Sequence, residues 1–241
     1  MVEDGSAPYY ELAASFVAKA FGEDLFGDVP SSLCSDVNRA LSDHLFLDRG
    51  YQLHPEFRIV LSIDQFTELM IPSREEAGYH PLLVRIFLRD DKMRRFGFEQ
   101  IGSGLGYVLP VLCSIFNPRV NVCLLQQPEL HLHPALQAAM GDVLIDGIQA
   151  KSPGGLKQIV VETHSEHLLL RILKRIRHTA LGTRGSAERG LRPSDVSVVY
   201  FDPQIDGTSA VNHLRISNDG DFLDVWPRGF FAERDRELFD E

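Results

Sequence analysis

Val122-Cys123-Leu124-Leu125-Gln126-Gln127-Pro128-Glu129-Leu130-His131-Leu132-His133-Pro134 is the stretch on which the reading of this chain turns. A short apolar run bounded by polar turn residues reads as a buried strand, here from Val120 to Leu125. Pro134 suits the first turn of a helix, which runs on to about Gln149. Between strand and helix stand two amides, an acid and two histidines. In open α/β sheets ligands bind at the carboxyl ends of the strands. Gln126, Gln127 and Glu129 are therefore candidate site residues.

Upstream lies Ile101-Gly102-Ser103-Gly104-Leu105-Gly106-Tyr107-Val108-Leu109-Pro110, a glycine turn opening an apolar helix through Val108, Leu112 and Ile115. Such a turn can present backbone N–H groups to phosphate. Downstream lies Ile159-Val160-Val161-Glu162-Thr163-His164-Ser165, a second strand from Gln158 to Val161 ending near a histidine. Ser165 is placed to cap a helix with Leu168, Leu169, Ile172, Leu173 and Ile176 on its inner side. A third strand is expected from Val196 to Phe201. Apolar strands alternating with helices predict a parallel sheet covered on both faces.

The first 98 residues have a different character. Leu12, Phe16 and Ala20 mark one amphipathic helix; Leu33, Val37, Leu41 and Leu45 mark another, capped at Ser31 or Ser32. Runs rich in β-formers follow at Phe57 to Ile63, Phe66 to Ile71 and Leu82 to Arg89. In the last, Leu82, Val84, Ile86 and Leu88 share one face and Arg85 and Arg89 the other. The expected organisation is an α+β segment, 1–98, followed by an α/β lobe, 99–241. The acidic tail from Asp219 carries Trp226, Phe230 and Phe231, so part of it should dock.

Composition narrows the function classes. With 44% hydrophobic residues the chain can build a core, and a net charge of −10 argues against a protein that coats nucleic acid generally. Cys34, Cys113 and Cys123 are odd in number, and the last two lie in apolar runs, which fits a reducing compartment better than a disulfide framework. The first 20 residues include Glu3, Asp4 and Glu11 and lack a signal-peptide pattern. No run of 18 apolar residues exists to span a membrane. The expected setting is the cytoplasm.

The ordered set of glycine turn, polar strand end and strand-end histidine resembles the signature turn, Walker B strand and switch histidine of ABC-type ATPases. Gln127-Pro128-Glu129-Leu130-His131-Leu132-His133-Pro134 and Glu162-Thr163-His164-Ser165 look like the OLD-like (overcoming lysogenization defect) and related "AAA" ATPases of bacteria. Val225-Trp226-Pro227-Arg228-Gly229-Phe230-Phe231 resembles the ending of that group. The likeness covers roughly 99–241. It implies the C-terminal lobe of a P-loop ABC-like ATPase, using ATP and Mg²⁺ and acting as a dimer or with a partner effector. Many such proteins serve in phage defence or nuclease-coupled systems. The resemblance puts Gly102, Ser103, Gly104 and Gly106 in the turn that touches nucleotide across a dimer. It puts Gln126 and Gln127 at the Walker B positions and His164 at the γ-phosphate. Gln126 and Glu129 are the candidate Mg²⁺ residues.

Two departures qualify that picture. A P-loop needs G-x-x-x-x-G-K-[ST], and only two stretches imitate its glycine spacing. Gly22 to Gly27 is followed by Asp28-Val29, and Gly97 to Gly102 by Ser103-Gly104, so neither supplies the lysine. The phosphate-binding half must then come from a Walker A-bearing chain or homodimer partner, and this sequence reads as a truncated gene, a split subunit or an excised fragment. Second, Gln126 and Gln127 are neutral, and an amide cannot take a proton from water as a carboxylate can. An engineered trap would look the same, and so would a pseudo-ATPase scaffold. A metal-dependent hydrolase built on Glu129, His131, His133 and His164 is a third class, set against ordinary loop histidines making hydrogen bonds. The stripe Arg171, Lys174, Arg175 is either a solvated helix face or a nucleic-acid footprint. An effector nuclease is the further partner the resemblance implies.

Overall fold

The computed structural model describes residues 7–21, 32–46, 49–59, 82–100, 102–148, 155, 157–183 and 190–226. Two compact units emerge: Met1–Cys123 with Ala150–Gln158, and Leu124–Gln149 with Ile159–Glu241. Residue 98, where the sequence changes character, lies inside the first of these units.

In the first unit, α1 (Ala7–Phe21), α2 (Ser32–Ala40) and α3 (Ser103–Phe116) pack on one another. Leu12 and Phe16 of α1 are buried, whereas Ala20 is exposed. Leu33, Val37, Leu41 and Leu45 are all buried, although the last two sit in a π turn, Leu41–Leu45, closed by Phe46 N–H donating to Leu41 O at 2.8 Å. The buried Ser15 hydroxyl accepts from Cys34 N–H at 3.0 Å and pins α1 to α2.

Strands β1 (Gln52–Ile59), β2 (Leu82–Arg89) and β3 (Arg95–Phe96) form an antiparallel sheet in that order. β1 starts at Gln52, five residues before the expected Phe57, because Gln52 pairs with Arg89 at the far end of β2. Pro55 lies inside it, which an edge strand tolerates. The strand expected at Phe66 to Ile71 lies outside the described residues, as do Ser31, Phe230 and Phe231.

Val108, Leu112 and Ile115 line the buried side of α3. A helix leaves its last carbonyls without intrahelical partners. Here the Lys157 ammonium, only 2% exposed, donates to Ile115 O at 2.6 Å and Asn117 O at 2.8 Å. A cation is favourable at that end of the helix dipole, yet burial still pulls the Lys157 pKa below its ordinary value. All three cysteines are buried, and none is in a disulfide. Burial, with Glu11 adding to it, pushes the Cys113 thiol up to about 12.

β4 (Val122–Gln126) and β5 (Gln158–Glu162) pair with each other. Gln158 N–H donates to Asn121 O and Gln127 N–H to Glu162 O, each at 2.8 Å. The two residue numbers rise together, so the strands are parallel as predicted. The expected coverage of both faces is corrected. Cys123 and Leu125 are buried, but Val122, Leu124 and Val160 are 55%, 75% and 57% exposed.

The third expected strand also behaves differently. Among the described residues, β6 (Val198–Pro203) pairs antiparallel with β7 (Ser209–Leu214) and not with the parallel pair. The intervening turn explains this. Gly207 adopts φ 83°, Gln204 N–H donates to Thr208 O at 2.8 Å, and Asp206 Oδ1 accepts from Thr208 N–H and Oγ1. The chain reverses at once, so β6 meets its immediate successor.

In the second unit α4 (Pro134–Ile148) packs on α5 (Glu166–Leu181). Ile145, Ile176 and Leu191 form a core with Ile172, Val196 and Ile216 against it. Ser165 caps α5 as predicted, its hydroxyl accepting from Leu168 N–H at 3.1 Å. Buried Asp142 of α4 pairs with Arg171 and with Arg175, the latter at 2.6 Å. The Trp226 ring packs tilted against Phe222 at 4.8 Å and Tyr200 at 6.0 Å, so the start of the tail docks.

Candidate functional site

The carboxyl ends of β4 and β5 are joined by one buried acid. Glu129 is 6% exposed. Its Oε1 accepts from Thr163 Oγ1 at 2.6 Å and from His164 N–H at 3.2 Å. Its Oε2 is buried without a hydrogen-bond partner. A buried carboxylate oxygen without a partner is costly, so it marks a place where a donor or cation belongs.

The loop around it is held by further bonds. Thr163 Oγ1 also accepts from Ser165 N–H at 3.0 Å. Ser165 Oγ donates to Gln137 Oε1 at 2.8 Å, and Gln137 Nε2 donates to Leu132 O at 3.0 Å. The chain from Glu129 through Thr163, Ser165 and Gln137 back to Leu132 locks the post-β4 loop to the post-β5 loop. Thr163 and Gln137 were not singled out from sequence. The Thr163 signal was the hydroxyl directly after a strand and before the histidine; Gln137 carried none.

The other candidates divide by exposure. Gln126 is exposed at the end of β4, and Gln127 is half-buried with φ 46°. A non-glycine residue with positive φ is uncommon, and such strain clusters at functional sites. The His164 side chain is exposed while its amide is held by Glu129. His131 and His133 are exposed, His131 with φ 63°. His133 Nδ1 accepts from Ala135 N–H at 3.3 Å, and its carbonyl accepts from Leu136 and Gln137. Among the described residues no three His, Cys, Asp or Glu groups converge on a metal position. The metal-hydrolase expectation for Glu129, His131, His133 and His164 is therefore not met among the described residues: the three histidines are exposed, and His133 caps the next helix.

The glycine turn belongs to the first unit. Gly102 caps α3 at φ −56°, ψ 148° without a side-chain bond. A Cβ added at Gly102 or Gly106 would meet nothing within 4 Å. Neither glycine has positive φ, so packing and backbone conformation within the described residues give no reason for them. The basic stripe, by contrast, is partly spent. Arg171 and Arg175 serve Asp142 and are 27% and 15% exposed, leaving Lys174 on the surface.

A parallel strand pair with polar groups at its carboxyl ends, followed by a capped helix, is an α/β arrangement that suits ligand binding at the strand ends. The chain belongs to the family described as "AAA domain, putative AbiEii toxin, Type IV TA system", which matches residues 18–171, and that match supports a nucleotide-binding ATPase module. No curated protein matches it. The structure is similar to an SMC head solved bound to the C-winged helix domain of ScpA, with a TM-score of 0.50 and 13% identity over 87% of this chain and 50% of that one. It is also similar to a structure described under ATP-driven dimerization and DNA-stimulated activation of SMC ATPases, with a TM-score of 0.42 and 12% identity over 76% of this chain and 84% of that one. The chain thus spans about half the length of the SMC head chain it matches. Among the described residues no helix is long and apolar enough to cross a membrane.

Proposed function

We propose that this chain is the signature- and switch-bearing part of an OLD-like ATPase, whose phosphate-binding part comes from a Walker A-bearing chain or segment. The observation that carries the reading is the Glu129 carboxylate, fixed by Thr163 and the His164 amide, with its second oxygen buried and unpartnered. Mg²⁺ takes oxygen ligands and usually keeps several waters. Glu129 Oε2 and the Gln126 amide oxygen are oxygen donors of that kind, so they would hold the ion directly or through water. Mg²⁺ would supply neutralisation of phosphate charge. Gln127 orients water without accepting its proton. His164, tethered by its backbone and free at its side chain, responds to the γ-phosphate. The exposed apolar face of Val122, Leu124 and Val160 is where a Walker A-bearing part would lie. A dimer, an effector nuclease and a role in phage defence follow from the same reading, and buried cysteines without disulfides suit the cytoplasm.

The test is phosphate release by the purified chain, alone and with a candidate Walker A-bearing partner. Turnover is expected only in the mixture, and His164→Ala should abolish it. Turnover by the chain alone at a comparable rate would overturn the assignment. The second reading, a scaffold without hydrolysis, rests on the two neutral residues at Gln126 and Gln127. It predicts nucleotide-dependent assembly without phosphate release.

A further inference from the structure

One face of the antiparallel sheet in the first unit concentrates positive charge on an acidic chain. Directly opposite residues on neighbouring strands share a face, as do alternate residues along one strand. The register therefore places Gln52, His54 and Glu56 of β1, Arg85, Phe87 and Arg89 of β2, and Arg95 of β3 together. Arg89 and Arg95 are directly opposite each other. Like charges in that relation are destabilising, so the arrangement calls for a compensating anion.

Little among the described residues provides it. Glu56 is the one acid on this face among the described residues, and it lies 3.9 Å from Arg95. Arg89 Nε is buried without a hydrogen-bond partner. Asp90, the neighbouring acid, is buried and taken by Arg94 at 2.7 Å. The guanidiniums are nonetheless held in place. Arg95 lies 4.7 Å and Arg89 5.7 Å from the centre of the Phe87 ring, and the His54 ring stacks on it at 6.0 Å. Phe87 is buried beneath them, while Arg95 is 63% exposed and Arg85 is exposed. Burial, Arg89 and Arg95 hold the His54 pKa down, so the charge at neutral pH is that of the arginines.

We infer that this face binds the phosphate backbone of nucleic acid, with Arg85, Arg89 and Arg95 as its contacts. Spacing favours a chain of phosphates over a single free one. Arg85 and Arg89 are four residues apart on one strand, about 13 Å. That distance is too long to grip one phosphate, and it corresponds to roughly four base-pair steps of about 3.4 Å along a duplex axis. Arginine also matches phosphate oxygens with paired N–H groups. The net charge of −10 disfavours general coating of nucleic acid, so contact would be local.

The experiment is fluorescence anisotropy of a short labelled DNA duplex with the intact chain over a salt series. Arg85→Gln/Arg89→Gln/Arg95→Gln should weaken binding at least about tenfold at low salt and lower the slope of log K against log salt by about 2 to 3. Lys174→Gln should leave both unchanged. Thermal melting of the triple variant should stay level or rise, since a like-charge pair is removed. If it falls, Arg95→Gln alone carries the test, with a slope lowered by about one. Unchanged binding by the folded variants would overturn the inference. So would failure of the native chain to bind duplex or single strands at low salt. Inorganic phosphate competing as well as an equal concentration of duplex phosphate would do the same, by showing a single-anion site.

Discussion

Thr163 donates to Glu129 across the ends of two parallel strands, at 2.6 Å and 34 residues apart in sequence. The bond decides where the Glu129 carboxylate points, because its other donor, His164 N–H, is longer at 3.2 Å. Thr163→Val keeps the shape and removes the donor. Hydrogen bonds to charged groups are worth about 1.5–3 kcal/mol. The variant should lose stability in that range by urea unfolding, and Thr163→Ser should recover most of it. If valine costs nothing, Glu129 is held by something other than Thr163.

Gly106 separates folding from function. It lies inside α3, and a Cβ there would meet nothing within 4 Å. Glycine in a helix interior costs roughly 0.5–1 kcal/mol relative to alanine. Gly106→Ala should therefore raise stability by about that amount. If the turn closes on nucleotide held by a partner, the same change should weaken ATP-dependent association, measured by size-exclusion chromatography with and without Mg-ATP. A variant that is more stable and assembles normally would make Gly106 an ordinary residue of an exposed helix end.

Much of this is legible in the sequence. The apolar helix through Val108, Leu112 and Ile115 and the cap at Ser165 follow from local pattern, although the helix already begins at Ser103, inside the expected glycine turn. The parallel sense of β4 and β5 follows from strand–helix–strand alternation. The strand faces did not follow. Val122, Leu124 and Val160 are exposed, whereas an apolar run in sequence predicts burial. The β6–β7 hairpin had a signal, Asp206-Gly207, that suits a tight reversal; an αβ alternation outweighed it. The fates of Arg171 and Arg175 hinge on Asp142, 29 and 33 residues away. Amphipathic spacing shows which stripe is basic but not that a buried acid on another helix claims it. In the site, Glu129 was legible by its place after Gln126 and Gln127, whereas its orphaned oxygen is a property of the fold.

Lys157 gives a stability prediction with a pH signature. Lys157→Met fills similar space but leaves the carbonyls of Ile115 and Asn117 unbonded. Each buried group left without a partner costs about 1–3 kcal/mol. The folded-state pKa of Lys157 lies below the ordinary 10.5, so the unfolded chain binds that proton more tightly. The linked stability is therefore fully present above 10.5 and is lost as pH falls through the folded value. The gap between native and Met chains should widen as pH rises toward 10.5, read from urea midpoints at a series of alkaline pH values. A gap that narrows would mean the ammonium form is the one the folded chain favours.

The final prediction concerns the two amides at the end of β4. Gln126 is exposed, so a carboxylate there meets water and not core. Its effect on folding should stay within about ±0.5 kcal/mol, as for other surface changes. Gln127 is half-buried, carries φ 46° and has its N–H committed to Glu162 O at 2.8 Å. A second negative charge there would enter a strained and partly desolvated position. In the complex with a Walker A-bearing partner, Gln126→Glu should therefore raise ATP turnover more than Gln127→Glu does. The reason is chemical as well as structural, since a carboxylate holds a hydrated Mg²⁺ better than an amide does. The measurement is steady-state phosphate release by each assembled variant, with half-saturating Mg²⁺ read in the same assay. Gln126→Glu should lower the Mg²⁺ requirement, and Gln127→Glu should not. A rise confined to Gln127→Glu would place the missing charge at the water-activating position instead, and would identify the native glutamine there as the residue that holds hydrolysis back.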